Sequence, residues 1–294
     1  KVDRCVGGKV AKQQCVGELQ LPLNNCGVMA LDFINNQGIA TSIGHSPISG
    51  LIDPKAGSKN SVAEALTNII WAPIKGNISG LSLSANWMWP CKNKGEDARL
   101  YEAVESVSDF AIDLGINIPT GKDSLSMNQK YKDKEVKSPG TVIISATGHC
   151  DNINKVIEPV FKKNYGSIYY LNLSQDEYKL GGSSFSQITG NIGIETPTIK
   201  NPDFFKKTFN VIQDIIRKDH IVAGHDIGSG GLITSLLEMC FPSINVSANI
   251  DLSSLNENDT IKLLFSENCG VVLQSNSDEV EKIFKNHSIK FYKI

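Results

Sequence analysis

The chain carries no CxxC pair among its seven cysteines, no long apolar run and no block of basic residues. Without thiols at ligand spacing, the local sequence builds neither a zinc site nor a dithiol redox centre. An odd count with irregular spacing suits free thiols in a reducing compartment, which points to the cytoplasm. The lack of an apolar stretch long enough to span a bilayer argues against a membrane protein of the helical class. A formal net charge of −2 makes nucleic acid an unfavourable main partner. A Walker-type phosphate loop is missing too. The run TGKDSLSM (120–127) looks like the end of one, but five residues separate Gly115 from Gly121, and Asp123 stands where a Ser or Thr should follow Lys122. The run is therefore a decorated turn or part of a different phosphate-handling fold. The sequence opens KVDRCVGG without a Met or signal peptide and stops at IKFYKI, a strand-like run that no turn closes. A piece of a larger polypeptide is expected, and a processed domain is compatible.

What is present is a normal globular mixture, 40% apolar and 20% charged, in 294 residues, enough for two domains. Alternating or β-branched runs at 26–33, 38–44, 80–87, 141–149, 167–173, 220–226 and 269–275 read as strands. Helical periods lie between them. Over 96–114, Leu100, Val104, Val107, Phe110, Ala111 and Leu114 recur at spacings of three and four. Over 202–217, Phe205, Phe209, Ile212 and Ile216 do the same, with Asn201 as N-cap and Pro202 at the first helical position. The mixed order favours an α/β or α+β fold. Residues 126–140 are polar and turn-like, and a change of texture over 150–166 places a domain boundary near residue 150.

Several stretches could carry chemistry. On a helix over 61–70, Val62, Leu66, Ile69 and Ile70 share one arc, and Glu64 and Asn68 fall together on the other side. A carboxylate and an amide oxygen one turn apart can coordinate Mg²⁺. Taken alone, a solvated helix face explains them better. In HIVAGHDIGSGGLITSLLEM (220–239), a strand leads to His225 and Asp226, then a glycine corner and an amphipathic helix. That geometry presents backbone N–H groups to an anion, and Asp226 would suit a cation bridging phosphates. A tight turn with a locally satisfied Asp explains it equally well. His225 reads as an orienting residue. Asn24 and Asn25 begin a strand, where turn chemistry is the simpler account. Trp87 and Trp89 read as packing. LGGSSFSQ (180–187) reads as a flexible turn, and Lys122 with Asp123 as a surface ion pair worth about 0–1 kcal/mol.

The order of these stretches is more telling than any of them. VGGKVAKQQCVG, PLNNCGV, LIDPKAGSKNSVAEALTNI, SANWMWP, GEDARLYEAV, GKDSLSM, SPGTVIISA, LGGSSFSQ and HDIGSGGLITSLLEM run in sequence across essentially the whole chain. The chain thereby resembles the long-form phosphoribosylformylglycinamidine synthases, and in particular the second of the two homologous halves of their synthetase core. GKDSLSM and AEALTN are peculiar to that family within its superfamily. The resemblance implies an aminoimidazole ribonucleotide synthetase-like A domain over 1–150, whose sheet pairs with a second A domain into a barrel. It implies a B domain, a sheet covered by helices, over 151–294.

The resemblance also implies a ligase of de novo purine synthesis. Formylglycinamide ribonucleotide, glutamine and ATP give formylglycinamidine ribonucleotide, glutamate, ADP and phosphate. The substrate's amide oxygen attacks the γ-phosphoryl, and ammonia displaces the phosphate. The first synthetase half and the glutaminase domain are then missing partners. None of the cysteines here sits in a nucleophile elbow. Carried over by motif, the metal positions are Glu64, Asn68, Asp226 and Asn25, and the nucleotide positions are Asn24 and Gly228. Asn25 stands where relatives carry an Asp, which removes one negative charge from a Mg²⁺ site. Gly228 stands where many members have a Ser. TGKDSLSM resembles the family's counterpart of a related ATP-fold loop, making Lys122 and Asp123 catalytic candidates. The second-half site of relatives holds a structural nucleotide, so two roles stay open: a direct share in the chemistry, or a non-catalytic nucleotide-binding scaffold. An A domain without its natural partner is also expected to self-pair into a homodimer.

Overall fold

The computed structural model describes residues 7–294; the opening KVDRCV, on which the reading of the chain's start rests, lies outside the described residues. In chain order the elements are β1 (Val10–Lys12), β2 (Gly27–Ala30), β3 (Gly38–His45), α1 (Pro47–Ile52), α2 (Pro54–Ile69), β4 (Leu81–Met88) and α3 (Glu96–Leu114). β5 (Asn117–Ser124), β6 (Asn128–Lys130), β7 (Glu135–Lys137), β8 (Thr141–Cys150) and β9 (Ser167–Asn172) follow. The chain continues through α4 (Ser184–Ile188), α5 (Pro202–Arg217), β10 (Ala223–Asp226), α6 (Gly231–Cys240), α7 (Thr260–Phe265), β11 (Gly270–Ser275), α8 (Glu279–Asn286) and β12 (Tyr292–Lys293).

The first sheet has six strands in the order β1-β2-β3-β8-β4-β5, antiparallel except for the parallel β4–β5 pair. The second has four antiparallel strands in the order β10-β11-β9-β12, and β6–β7 form a separate hairpin. β3 alternates strictly. Gly38, Ala40, Ser42 and Gly44 face inward, and Ile39, Thr41, Ile43 and His45 face out. The inward set packs on α2. Gly44 is required there, because a Cβ would lie 2.2 Å from the backbone of Ser61 and Ala65. The outward side is bare, with Met29, Ile39 and Ile43 exposed. The sheet is open rather than closed into a barrel.

One apolar core runs through both halves, from Val28 and Leu66 to Phe205, Leu273 and Phe284. Phe110 on α3 meets Phe205 on α5 edge to face, with centroids 5.8 Å apart, a contact worth about 1 kcal/mol. Buried Gln213 donates to the carbonyls of Ile70 and Ala72 and accepts from Ile74 N–H, satisfying the irregular backbone just after α2. The two sheets are thus held in one orientation by packing and by a saturated buried amide.

Three local readings change. TGKDS lies in a strand, β5, because it pairs in parallel with β4. The polar stretch 126–140 contains the β6–β7 hairpin. α2 is buried on most of its circumference, so the side bearing Glu64 is no solvated face: the second sheet covers it. Trp89 is buried and tilts against Trp87 at 6.4 Å, as packing requires.

Candidate nucleotide and metal site

The site forms where α2 crosses the end of β3 and the start of the second sheet. Asp53 caps α2 by accepting from the N–H groups of Lys55 and Ala56, with Pro54 at the first position. This fixes the helix so that Glu64 and Asn68, one turn apart, both reach β3. Glu64 Oε2 accepts from His45 N–H at 2.9 Å, and Asn68 Nδ2 donates to the Ile43 carbonyl at 3.2 Å. One amide N–H is used there, and Asn68 Oδ1 stays available as an acceptor.

β10 brings Asp226 to the same place. Gly224 allows it, since a Cβ there would lie 2.0 Å from the Trp71 ring that follows α2. Asp226 is 5% exposed, and its charge acts on Glu64. Burial pushes the Glu64 carboxyl up to about 8, the His45 N–H opposes this, and Asp226 and Glu267 raise it further. A half-buried carboxylate on α2 and a buried one on β10 that raise each other's charge cost are what a divalent cation neutralises. Among the described residues, no group of three or more His, Cys, Asp or Glu side chains is placed to hold a metal. A cation here would rely on the Glu64–Asp226 pair.

A cleft of about 320 Å³ opens beside this pair, lined among others by His45, Asn60, Glu64, Gly182, Gly228 and Glu267. Gly228 lines it together with Ser229. Asn24, Asn25 and Asn68 line a separate concavity of about 1160 Å³ on the open face of the first sheet. Asn24 donates to the Gln13 carbonyl at 2.7 Å, and its buried Oδ1 is without a partner, an acceptor left for a ligand donor.

Asn25 bridges the two units through both ends of its amide. Its Nδ2 donates to the Gly224 carbonyl at 3.0 Å, and its Oδ1 accepts from His225 Nδ1 at 2.6 Å. The amide ties the segment before β2 to β10, and its oxygen is committed to the imidazole. Burial disfavours charge on His225, but Asp226 and Glu238 outweigh it and raise the imidazole to about 9. His225 Nε2 donates to Glu238 Oε2 at 3.1 Å, and Nδ1 lies 3.2 Å from Asp226 Oδ1. His225 thus orients Asp226 as a charged clamp.

Lys122 and Asp123 lie elsewhere. They are exposed on edge strand β5, with β4 and β8 between them and β3. As strand neighbours they point to opposite faces, and the Lys122 ammonium donates to Ser124 Oγ. The two do not pair, and neither lines the cleft.

Sequence reasoning missed Glu267. It lies between α7 and β11, and its Oε1 accepts from both Ser184 N–H and Gly230 N–H, each at 2.7 Å. The tripeptide Ser-Glu-Asn at 266–268 has no pattern that announces this.

Two joined α/β units thus meet at a glycine-cornered cleft. Residues 1–149 match the FGAR-AT PurM_N-like domain, and residues 168–294 match the C-terminal domain of AIR synthase related proteins. The chain belongs to the FGAR-AT PurM_N-like family. It is 42% identical over 308 aligned residues to a probable phosphoribosylformylglycinamidine synthase of Caenorhabditis elegans, covering 100% of this chain and 23% of that protein. To the Homo sapiens phosphoribosylformylglycinamidine synthase it is 36% identical, over 98% of this chain and 21% of the relative. The chain therefore spans less than a quarter of the length of these relatives. Among solved structures, Thermotoga maritima PurL complexed with FGAR superposes with a TM-score of 0.65 at 14% identity, covering 92% of this chain and 43% of the other. The ATP complex of the same protein gives 0.62 at 13% identity, covering 91% and 41%. At such identity these neighbours speak for the fold.

Proposed function

We propose that this chain is the second synthetase half of an ATP-dependent carbon–nitrogen ligase. The whole enzyme converts formylglycinamide ribonucleotide, glutamine and ATP to formylglycinamidine ribonucleotide, glutamate, ADP and phosphate in de novo purine synthesis. The chain divides into an A-type domain over 1–150 and a B-type domain over 151–294. Within the enzyme it is a nucleotide-holding scaffold that pairs with the first half, while the glutaminase domain supplies ammonia. The observation that carries this reading is the approach of Asp226 on β10 to Glu64 on α2, with Glu64 and Gly228 lining one cleft.

Mg²⁺ held there would neutralise phosphate charge on ATP or ADP. Glu64, Asn68 and Asp226 are the residues to hold it. Gly228 lets the nucleotide approach the backbone, and Asn24 offers its orphaned oxygen. Asn25 works through His225, which sets the orientation of Asp226. A direct catalytic share for Lys122 and Asp123 is the weaker reading, because both are exposed on the sheet edge. Cytoplasmic residence agrees with the six free cysteines among the described residues, and no helix among them is long and apolar enough to cross a membrane. The open face bearing Met29, Ile39 and Ile43 is the surface for the partner half, or for a second copy when the chain is alone.

Calorimetry tests the reading. The chain alone binds ADP with Mg²⁺ present and loses most of that affinity in chelator. With ATP, formylglycinamide ribonucleotide and ammonia it releases no phosphate. Binding indifferent to Mg²⁺, or synthetase turnover by the chain alone, contradicts it.

A further inference from the structure

Glu267 joins two chain corners that are far apart in sequence. One is the glycine turn at 180–184, and the other is the turn at 228–231 that opens α6. Both have their own anchors. A Cβ on Gly182 would lie 2.7 Å from Ser49 Oγ, so the first corner sits directly on α1. That corner is tied again by Gly182 N–H, which donates to the Ile192 carbonyl at 2.9 Å. The second corner is held from below by Ser235, whose hydroxyl donates to the Asp226 carbonyl at 2.8 Å. Gly230 must be glycine, with φ +92° and the Thr234 side chain pressed against it.

Between these anchors lies the cleft, and Glu267 is one of its walls. A single carboxylate oxygen accepts from one amide of each corner, both at 2.7 Å, the short distance of a charge-assisted bond. One atom therefore sets the separation of the two corners across the cleft. A shorter side chain, or none, changes that separation; the Glu267 charge also acts on Glu64, so the Gln variant, which removes the charge and keeps the acceptor, separates the two effects.

We infer that Glu267 is a positioning residue for the nucleotide cleft, fixing the width between the 180–184 and 228–231 corners. The inference rests on the nucleotide reading above. Glutamine keeps an acceptor oxygen at the same reach, whereas aspartate is one methylene short and alanine has no acceptor.

The test uses the whole chain and three variants, Glu267→Gln, Glu267→Asp and Glu267→Ala. Amide hydrogen exchange at Ser184 and Gly230 reads the coupling, and calorimetry with ADP and Mg²⁺ reads the cleft. In Glu267→Ala and Glu267→Asp, exchange at both amides accelerates together, while Val271–Leu273 in β11 stay protected. Affinity for ADP then falls about tenfold, the size expected when one charged hydrogen-bond acceptor is lost. Glu267→Gln restores both to within about threefold.

Exchange unchanged in Glu267→Ala, or accelerated at one amide only, overturns the coupling. Accelerated exchange with unaltered ADP affinity overturns the positioning role. A wild-type chain that binds no ADP overturns the nucleotide reading instead, and the exchange data then decide the coupling by themselves.

Discussion

The cleft at Glu64 and Asp226 and the edge strand at Lys122 and Asp123 carry similar residue types in opposite surroundings. Both place acids beside glycines in stretches that resemble family motifs. At the cleft, two sheets and α2 remove the carboxylates from water, so Glu64 is pushed up to about 8. At the edge the side chains stay exposed, where a pair of charges contributes little. The difference is tertiary. The same carboxylate chemistry becomes a cation site when a second element covers it and stays a surface feature when none does.

The comparison is broken most severely by filling the space that lets β10 reach α2. Gly224→Ala drives a methyl into Trp71 and is expected to cost on the order of 3 kcal/mol by chemical denaturation. Gly95→Ala, where a Cβ meets nothing within 4 Å but φ is +85°, is expected to cost about 1 kcal/mol from backbone strain alone. Equal losses would mean that the α2–β10 approach is not tight.

Next in size is the loss of a ligand. Asp226→Ala is expected to weaken Mg²⁺-dependent ADP binding by about 100-fold, since losing even an outer partner costs a metal site roughly 10- to 100-fold. Calorimetry showing a change of less than about threefold would remove Asp226 from the site.

A pH series sharpens the electrostatic contrast. The folded Glu64 carboxyl lies at about 8 against an ordinary 4.5. Its protonated form is thus the one favoured by the fold. In metal-free protein the contribution is fully present below about pH 4.5 and is lost as pH rises through 8. Glu64→Gln is therefore expected to stabilise the metal-free chain by about 2 kcal/mol at pH 8.5 and hardly at all at pH 4.5. It also abolishes the Mg²⁺ response. A gain independent of pH would show that Glu64 is not desolvated.

These surroundings explain what the sequence could disclose. α3 and α5 were legible to the residue, because an apolar period of 3.6 over a long span fixes a helix and Asn201 with Pro202 marks its start. β5 was not, because NIPTGKDS has no apolar alternation and is a strand only through its pairing with β4. Glu64, Asn68 and Asp226 could be named from motifs, but the desolvation of Glu64 beside Asp226, 162 positions on, comes only with the fold. Asn25 shows the limit. Its oxygen meets His225 across 200 positions, so only the fold reveals that partner. Glu267 lacks any local pattern, and its two bonds exist because three separate loops converge.

The smallest effect belongs to the edge. Lys122→Ala with Asp123→Ala is expected to leave ADP binding within about twofold and stability within about 0.5 kcal/mol. A tenfold loss of ADP affinity would move that strand into the site.

Diffraction from crystals grown with Mn²⁺ and ADP, with anomalous scattering locating the ion, tests the account at its centre. The account predicts a manganese peak within bonding distance of carboxylate oxygens from both Glu64 and Asp226. A peak bound to only one of them, or seated at β5, contradicts it.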